Sequence, residues 1–417
     1  MKNKVLFCKL LALAVLALST SVFILAACTP PEPGEATSPK PSPDTSTPLA
    51  PDETTPPEPP TLPPAPVVTD KEQHRISIVD GEFRVDNGTR RIWINGVNVA
   101  WHNWNDFDSN YNEAWWDGHF AELRANGINA ARVWINCNND NGVIIIDDDG
   151  MVSGVKDEHW DALDKFFISA KRHGIYLMPT FTSFDHFKSR NAESWRNLVK
   201  SDAAIDSYIE HFTLPFLTRY GDNPFLWSID LMNEPDWVHE DAACGKLDWK
   251  DISRFFARNT AAIRENSSVL VTVGMAFPKY NADGSGYEGN KVSDTFLQSI
   301  YANENARLDF WSPHYYDWVG RWYGIPFTSS PFGSRNQGGW GLCDSRPAIL
   351  AEHSGNGSDG FTLTEDYLNL FENGWQGAMA WTSNNTATGD GMGGMANIGP
   401  ATRNIAELHP QLVFPLG

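Results

Sequence analysis

The sequence predicts an eight-stranded α/β barrel, (β/α)8, with an N-terminal β-hairpin and a disordered, proline-rich linker in front of it. Two observations support this prediction. Short runs that are apolar on both faces alternate with segments whose apolar residues recur at helical spacing, as in a parallel sheet covered by helices on both sides. Eight such units follow one another along the 417-residue chain, and eight units close a barrel. A doubly wound open sheet is the alternative, but it usually needs fewer strands, and no glycine-rich phosphate-binding loop follows an early strand.

The elements of the barrel domain, residues 68–417, can be placed in order. Residues 75–96 alternate apolar and polar side chains around two turn signals, Asp80-Gly81 and Asn87-Gly88, which predicts the hairpin. Helical patterns such as EHWDALDKFFISAKRHG connect the strands that follow. The eight barrel strands are predicted at residues 92–101, 128–136, 175–183, 224–235, 269–276, 307–318, 348–355 and 375–384.

Residues 1–28 have the pattern of a secretory signal. Lysines at positions 2, 4 and 9 precede or flank an apolar segment, which ends in small residues and a cysteine, Leu25-Ala26-Ala27-Cys28. This arrangement resembles the signal of bacterial lipoproteins, which implies that Cys28 becomes the lipidated first residue of the mature protein. An ordinary cleaved signal or an N-terminal membrane anchor is the alternative. In each case we expect the protein to leave the cytoplasm.

Residues 29–67 differ in composition from the rest of the chain. They contain more than half of its 27 prolines and no aromatic residue. Such a segment buries too little apolar surface to offset its ordering entropy, so we predict a disordered spacer. At about 3 Å per residue in polyproline geometry, it could hold the barrel on the order of 100 Å from a membrane.

Charge and cysteine content exclude some classes of function. The formal net charge of −20 argues against binding to nucleic acid or to anionic lipid, both of which favour basic patches. Beyond the signal only Cys137, Cys244 and Cys343 remain, so at most one disulfide can form. The 17 tryptophans are unusual, because aromatic faces stack on the apolar faces of sugars, although most tryptophans in proteins belong to the core.

Two glutamates stand at the tips of predicted strands. Glu234 ends the fourth strand in LMNEP, and Glu352 ends the seventh in AILAEHSG. Pro235 has no N–H to continue a sheet, so the strand stops with its acid at the mouth of the barrel, where barrel active sites lie. Three strands of separation place the two acids on opposing walls. A retaining glycosidase needs two carboxyls about 5 Å apart, one as proton donor and one as nucleophile.

The order of these motifs resembles glycoside hydrolase family 5, in the clan of retaining (β/α)8 glycosidases. The motifs are NEP at the fourth strand, HYY at the sixth, the acid ending the seventh, an arginine at the second and a tryptophan at the eighth. The resemblance covers essentially all of residues 75–417. It implies that Glu234 is the general acid/base and Glu352 the nucleophile. It further implies substrate-binding or positioning roles for Asn233, Arg132, His314, Tyr316 and Trp381. His314 and Tyr316 are two residues apart and would share one face of a strand.

The sequence departs from the family at the third strand, where a histidine is expected near the strand end. His186 lies a few residues later, and we assign it as a sugar contact. Loop tryptophans are further stacking candidates, although core packing is the commoner role of any one of them: Trp101, Trp104, Trp115, Trp116, Trp318, Trp322 and Trp340. The acidic stretches VIIIDDDG and NADGSGYEG do not have the spacing of a calcium loop and are interpreted as solvated loops. The mechanism requires no metal and no organic cofactor.

Together these features predict an extracellular, lipid-anchored, monomeric enzyme that cuts a plant polysaccharide, as an endo-β-1,4-mannanase or an endo-β-1,4-glucanase of cellulase type. The departure at the third strand slightly favours mannan or glucomannan. The loops at residues 184–206 and 317–346 are expected to line the cleft. The alternative is a lipoprotein that binds sugar for an uptake system without cutting it. That alternative fits the anchor and the tryptophans, but it does not explain two acids at strand tips.

Overall fold

The computed structural model describes residues 74–283, 286–323, 330–333, 342 and 345–414, with the side chains of residues 322 and 323 left out. The predicted signal, Cys28 and the linker therefore lie outside the described residues, as do Cys343 and Trp340. Within the described part, no helix combines the length and the apolar character needed to cross a membrane.

A small antiparallel sheet opens the described chain. Its strands are β1 (Ser77–Val79), β2 (Glu82–Val85) and β3 (Arg90–Arg91), paired in that order, so the predicted hairpin is confirmed and extended by a third short strand. Phe83 is fully buried, with its ring centroid 5.4 Å from that of Trp227 and 5.3 Å from that of Phe310. The sheet thus covers the N-terminal end of the barrel.

The remaining strands alternate with helices as predicted. The strands are β4 (Ile94–Asn98), β5 (Ala130–Trp134), β6 (Ile144–Ile146), β7 (Val152–Val155), β8 (Tyr176–Thr180), β9 (Ser228–Asn233), β10 (Leu270–Met275), β11 (Ser312–Tyr315), β12 (Leu350–Ser354) and β13 (Gly377–Trp381). All of these except β6 and β7 form a closed barrel of parallel strands, in the order β4-β5-β8-β9-β10-β11-β12-β13. Each falls inside one of the eight predicted segments, and the fold is a (β/α)8 barrel.

The helices form the outer layer. They are α1 (Glu113–Ala125), α2 (Asp157–His173), α3 (Ala192–Lys200), α4 (Asp202–Tyr208), α5 (Leu214–Tyr220), α6 (Asp236–Glu240), α7 (Trp249–Asn266), α8 (Pro278–Asn281), α9 (Asp294–Ile300), α10 (Asp317–Tyr323), α11 (Leu363–Glu372), α12 (Asn385–Thr388), α13 (Met395–Leu408) and α14 (Pro410–Val413). A π-helical turn, Ile209–Thr213, joins α4 to α5, and short 3₁₀ turns occupy Phe184–Lys188 and Ala242–Cys244.

Helix α2 shows why these segments form where they do. Acidic residues in its first turn and basic residues in its last turn stabilise the helix, because both interact favourably with the helix dipole. Gly174 ends the helix in the left-handed region, at φ 66°, where a side chain would be strained. Leu163 and Phe166 are fully buried against the barrel.

One predicted loop is a strand pair instead. Residues of VIIIDDDG form β6, which pairs antiparallel with β7, and Asp147 to Gly150 make the turn between them. Val143 and Ile144 are buried, whereas the aspartates at 148 and 149 are exposed. The prediction of a loop was therefore wrong for the three isoleucines, which form a strand, whereas the predicted exposure to solvent is right for Ile145 and for the aspartates.

The barrel interior changes character along its axis, and this change positions the site. Near the N-terminal end, the interior is filled by apolar side chains, among them Ile94, Met178, Trp227, Ile349 and Met379. Near the C-terminal end, the fully buried inward side chains are polar, among them Asn98, Arg132, Thr180, Asp230 and His314. Buried polar groups require partners, so this end holds a hydrogen-bonded network instead of a packed core.

Candidate active site

The two glutamates predicted as a pair meet at the C-terminal mouth of the barrel. Glu234 directly follows β9, and Glu352 lies in β12, where it is in register with His314 of β11. The backbone of Glu234 has a φ of 49°, an uncommon conformation for a side chain of this kind, and its N–H donates to the Gly274 carbonyl at 2.7 Å. Strained backbone of this type is concentrated at functional sites.

The carboxyl groups are close enough to act on one bond. A carboxylate oxygen of Glu234, a carboxylate oxygen of Glu352 and a ring nitrogen of His314 all lie within 4.8 Å of one another. Glu234 is 8 % exposed and Glu352 6 % exposed, so both are largely buried but reach an open cleft. This closeness fits the separation of about 5 Å in a retaining pair better than the 6.5–9.5 Å or so of an inverting pair, which admits a water molecule.

Arg132 is the centre of the buried network. Its guanidinium donates to Glu352 Oε2 at 3.0 Å and to Asp230 Oδ2 at 2.7 Å. It also donates to Asn233 Oδ1 at 2.8 Å and to Asn98 Oδ1 at 3.0 Å. Arginine suits this position because its planar fork can serve several acceptors at once. The predicted arginine therefore contacts the predicted nucleophile directly.

His314 and Tyr316 complete the contacts of the two acids. The Tyr316 hydroxyl donates to Glu352 Oε1 at 2.8 Å. His314 Nδ1 lies 3.0 Å from Glu234 Oε1 and 3.6 Å from Glu352 Oε2. Burial lowers the pKa of His314 to about 4, so the imidazole is neutral near pH 7. A neutral imidazole can share a proton with a carboxyl group without adding charge to the site.

Burial raises the pKa of both glutamates, and their charge partners distinguish them. Desolvation raises the pKa of Glu234 to about 7, against a smaller opposing effect from the hydrogen bond of Trp237. Desolvation also raises the pKa of Glu352, and the neighbouring Glu234 adds to this rise, whereas His314, Arg132 and the hydroxyl of Tyr316 act in the opposite direction. Glu352 holds the direct ion pair with Arg132, so we assign the negative charge to Glu352 and the proton to Glu234.

An aromatic cleft of about 360 Å³ surrounds the acids. Trp381 ends β13, in the predicted eighth strand, and lines the cleft, where its indole N–H donates to Asp390 Oδ2 at 2.6 Å. Trp101 and Trp134 also line the cleft and contact the ring of Trp381, whereas Trp237 contacts Glu234 and the ring of Trp318. Aromatic faces on both sides of an acid pair suit a chain of sugar rings.

The structure does not bring His186 into this cleft. Its side chain is 0 % exposed, and Nδ1 accepts the backbone N–H of Ser183 at 3.0 Å. The ring lies edge-on to Trp195, with centroids 4.4 Å apart. His186 therefore caps the turn Phe184–Lys188, and this burial does not agree with the predicted sugar contact. Neighbouring residues Phe184 and Asp185 do line the cleft.

The other tryptophan candidates divide between cleft, surface and core. Trp101 and Trp318 line the cleft, and Trp104 is exposed. Trp116 is fully buried, and Trp115 is sandwiched between the rings of two histidines. The side chain of Trp322 and the whole of Trp340 lie outside the described residues. Cys137 and Cys244 are buried and free.

Sequence reasoning missed several groups of the site. Asn98 and Asp230 hold Arg132, Trp134 and Asp390 line the cleft, and Trp237 Nε1 donates to Glu234 Oε2 at 2.9 Å. A usable signal existed for Asn98 and Asp230, because each is a polar residue with apolar neighbours on both sides in a predicted strand. Trp237 had a weaker signal, its position three residues after Glu234.

The site also has the donor atoms for a metal ion. Among the described residues, Glu234, His314 and Glu352 are the group of three acid or histidine side chains whose donors converge closely. Arg132 already occupies Glu352 Oε2, and its positive charge opposes a cation there. The arrangement is better suited to one protonated and one charged carboxyl group than to holding a metal.

Comparisons with known proteins agree with the fold. No family model matches the chain. The chain is similar to a mannan endo-1,4-beta-mannosidase of Mytilus edulis, 23% identical over 371 residues, which covers 82% of this chain and 96% of that protein. A mannan endo-1,4-beta-mannosidase of Cryptopygus antarcticus is 23% identical over 340 residues, covering 71% of this chain and 82% of that protein.

Solved structures show the same architecture. The beta-mannanase of the blue mussel Mytilus edulis superposes with a TM-score of 0.69 at 22% identity, over 79% of this chain and 96% of that one. The endo-1,4-beta-mannanase of Eisenia fetida gives a TM-score of 0.68 at 21% identity, over 79% and 95% of the two chains. Their fold is the (β/α)8 barrel found here.

Proposed function

We propose that this protein is a retaining endo-β-1,4-mannanase of glycoside hydrolase family 5 that hydrolyses mannan or glucomannan. The observation that carries the proposal is the pair Glu234 and Glu352, with carboxylate oxygens within 4.8 Å of each other at the mouth of the barrel. Similarity to mannan endo-1,4-beta-mannosidases over 82% of the chain supports mannan over cellulose-type glucan as the substrate.

The proposed reaction is a double displacement. Glu234 gives its proton to the glycosidic oxygen while the bond from that oxygen to the anomeric carbon breaks, and the Glu352 carboxylate bonds to that carbon. Water then attacks the same carbon, loses a proton to Glu234 and releases Glu352. The sugar keeps its anomeric configuration, since each step inverts it once.

The surrounding groups each have a part in this scheme. Arg132 and Tyr316 hold Glu352 ionised and oriented for attack. Asn233, fixed by Arg132, is placed to bind the 2-hydroxyl of the reacting sugar, a contact that strengthens in the transition state. Trp381 forms the platform beneath that sugar. A protein that only binds sugar would need none of this acid network.

A substrate panel tests the proposal. Wild type and Glu352→Gln would be incubated with mannan, glucomannan, carboxymethylcellulose, mixed-linkage glucan and xylan, and the new reducing ends measured. We expect wild type to act on mannan and glucomannan with mixed oligosaccharide products, and E352Q to lose at least about 10³-fold in kcat. Glu407→Gln, at an exposed glutamate of α13, is the matched control and should keep full activity. Wild type that binds mannan without releasing reducing ends would support the binding-protein alternative.

We propose that the protein is held on the outer surface of the cell by a lipid on Cys28. The signal-like residues 1–28 and the proline-rich residues 29–67 support this location. A polysaccharide cannot cross the membrane intact, so a hydrolase must lie outside the cell to reach it.

A further inference from the structure

We propose that Trp104 is a distal sugar-binding platform, which stacks on a mannose unit of the bound chain on the non-reducing side of the cleaved bond. This inference rests on the proposed function and extends it outside the cleft. It assigns a role to a side chain that neither lines the catalytic cleft nor belongs to the core.

The exposure of Trp104 is the first observation. It is 43 % exposed, and among the described side chains it is the one aromatic member of the large apolar residues that are exposed. Leaving so much apolar surface in water forgoes a favourable burial energy of roughly 25 cal/mol for each Å². An exposed indole beside a cleft therefore indicates contact with something that binds there.

The indole is also held in place. Its Nε1 donates to Asn138 Oδ1 at 3.3 Å, and Asn105 Nδ2 donates to the same oxygen at 2.6 Å. The side-chain oxygen of Asn105 in turn accepts the backbone N–H groups of Cys137 and Asn138, at 3.0 and 3.2 Å. These bonds join the loop after β4 to the loop after β5. A ring fixed before binding loses little entropy when a ligand stacks on it.

Aromatic rings connect Trp104 to the catalytic centre. The centroid of Trp104 lies 4.7 Å from that of Trp101, which lines the cleft. Trp101 lies 6.1 Å from Trp381, the proposed platform for the reacting sugar. The three rings thus contact one another edge to face in the order Trp381, Trp101, Trp104, and they connect the end of β13 to the loop after β4.

The position of the acid fixes the direction of the sugar chain. Glu234 protonates the leaving oxygen, so the leaving part of the chain lies on the side of Glu234, with Trp237 and Trp318. Trp101 and Trp104 lie on the other side, beyond the sugar that Glu352 attacks. Trp104 would therefore contact a unit of the part that becomes bound to the enzyme, and only a substrate with enough units on that side can reach it.

The experiment compares substrate lengths. Wild type, Trp104→Ala, Trp104→Phe and Leu408→Ala would be assayed on mannohexaose and mannotriose labelled at the reducing end. Leu408 is a matched control because it is 55 % exposed but lies at the end of α13, far along the chain from the cleft loops. We expect W104A to lower kcat/KM on mannohexaose about five- to tenfold, the value of one aromatic contact, and to leave mannotriose unchanged. W104F, which keeps a ring, should lose less, and L408A nothing.

The bond that is cut gives a second readout. Loss of a distal site on the non-reducing side should move cleavage of mannohexaose toward that end, which gives shorter unlabelled and longer labelled fragments. An unchanged cleavage pattern with unchanged kcat/KM would overturn the platform, as would an equal loss on both lengths. A change in oligomeric state of W104A by size-exclusion chromatography, with cleavage unaltered, would also overturn it. Failure of wild type to cut mannan at all would instead refute the proposed function.

Discussion

Arg132 illustrates how one residue can determine both stability and chemistry. Its guanidinium is fully buried and pairs with Asp230 and Glu352. We expect Arg132→Met to lower the free energy of unfolding by about 3–5 kcal/mol, because it leaves two carboxylates buried without their cation. Urea denaturation measures this loss. Adding Asp230→Asn should recover part of it, and a loss below about 1 kcal/mol in R132M would contradict the ion-pair role.

The proton on Glu234 predicts the pH dependence of activity. Burial raises the pKa of Glu234 to about 7, so the carboxyl group is protonated below that pH and can act as an acid. We expect kcat/KM to fall as the pH rises through about 7, because the proton is then lost. Measurement of kcat/KM on a soluble mannan from pH 4 to pH 9 checks this expectation.

A substitution at Trp237 tests what sets the pKa of Glu234. The indole N–H donates to Glu234 Oε2 and stabilises the charged carboxylate, so it holds the pKa below the value that burial alone would give. Trp237→Phe removes this donor and should move the alkaline limb of the profile to higher pH. Trp101→Phe is the control, because the indole N–H of Trp101 also lies at the cleft but donates to the Ala387 carbonyl instead of an acid. An alkaline limb that stays in place in W237F would refute the assignment.

At the scale of elements, strand β10 contains a glycine, Gly274, at a position that has no room for a side chain. A Cβ atom on Gly274 would lie 2.7 Å from Arg132 Nη2 and 2.8 Å from His314 Nε2. We expect Gly274→Ala to displace both side chains and lower kcat at least about tenfold, since small misplacements of catalytic groups are costly. Gly118→Ala is the matched control: Gly118 lies in α1 with open space around it, so the variant should gain about 0.5–1 kcal/mol of stability and keep its activity. Equal activity of G274A and wild type would contradict this.

The elements also show what the sequence could and could not predict. The eight barrel strands were predictable because each is buried on both faces and reads as an apolar run ended by a polar residue or a turn signal. The β6–β7 ribbon was missed because its three isoleucines are too few to stand out beside three aspartates. For His186 the sequence could not reveal the direction of the side chain, because distance from a strand end does not determine it. Its side chain turns back to cap a 3₁₀ turn instead of entering the cleft.

At the scale of the whole molecule, barrel closure explains why the acid pair was predictable but its supports were not. Once eight parallel units are recognised, strands four and seven must face each other, so residues 118 positions apart in sequence meet. The contacts of Arg132 with Asn98 and Asp230 depend on the register between neighbouring strands. Register is set by packing of the closed barrel, which no local pattern encodes.

The lipid anchor is a prediction about the whole molecule that the described residues do not reach. Cys28 stands at the end of a signal-like segment whose other cysteine is Cys8. If Cys28 carries the lipid, wild type should incorporate a labelled fatty acid and partition into the detergent phase of Triton X-114, whereas Cys28→Ala should incorporate no label. Cys8→Ala is the matched control and should behave as wild type. Activity per molecule on a soluble mannan should be equal in all three proteins, because the barrel begins well after either cysteine. If wild type partitioned with detergent but incorporated no label, an uncleaved N-terminal anchor would replace the lipid as the means of attachment.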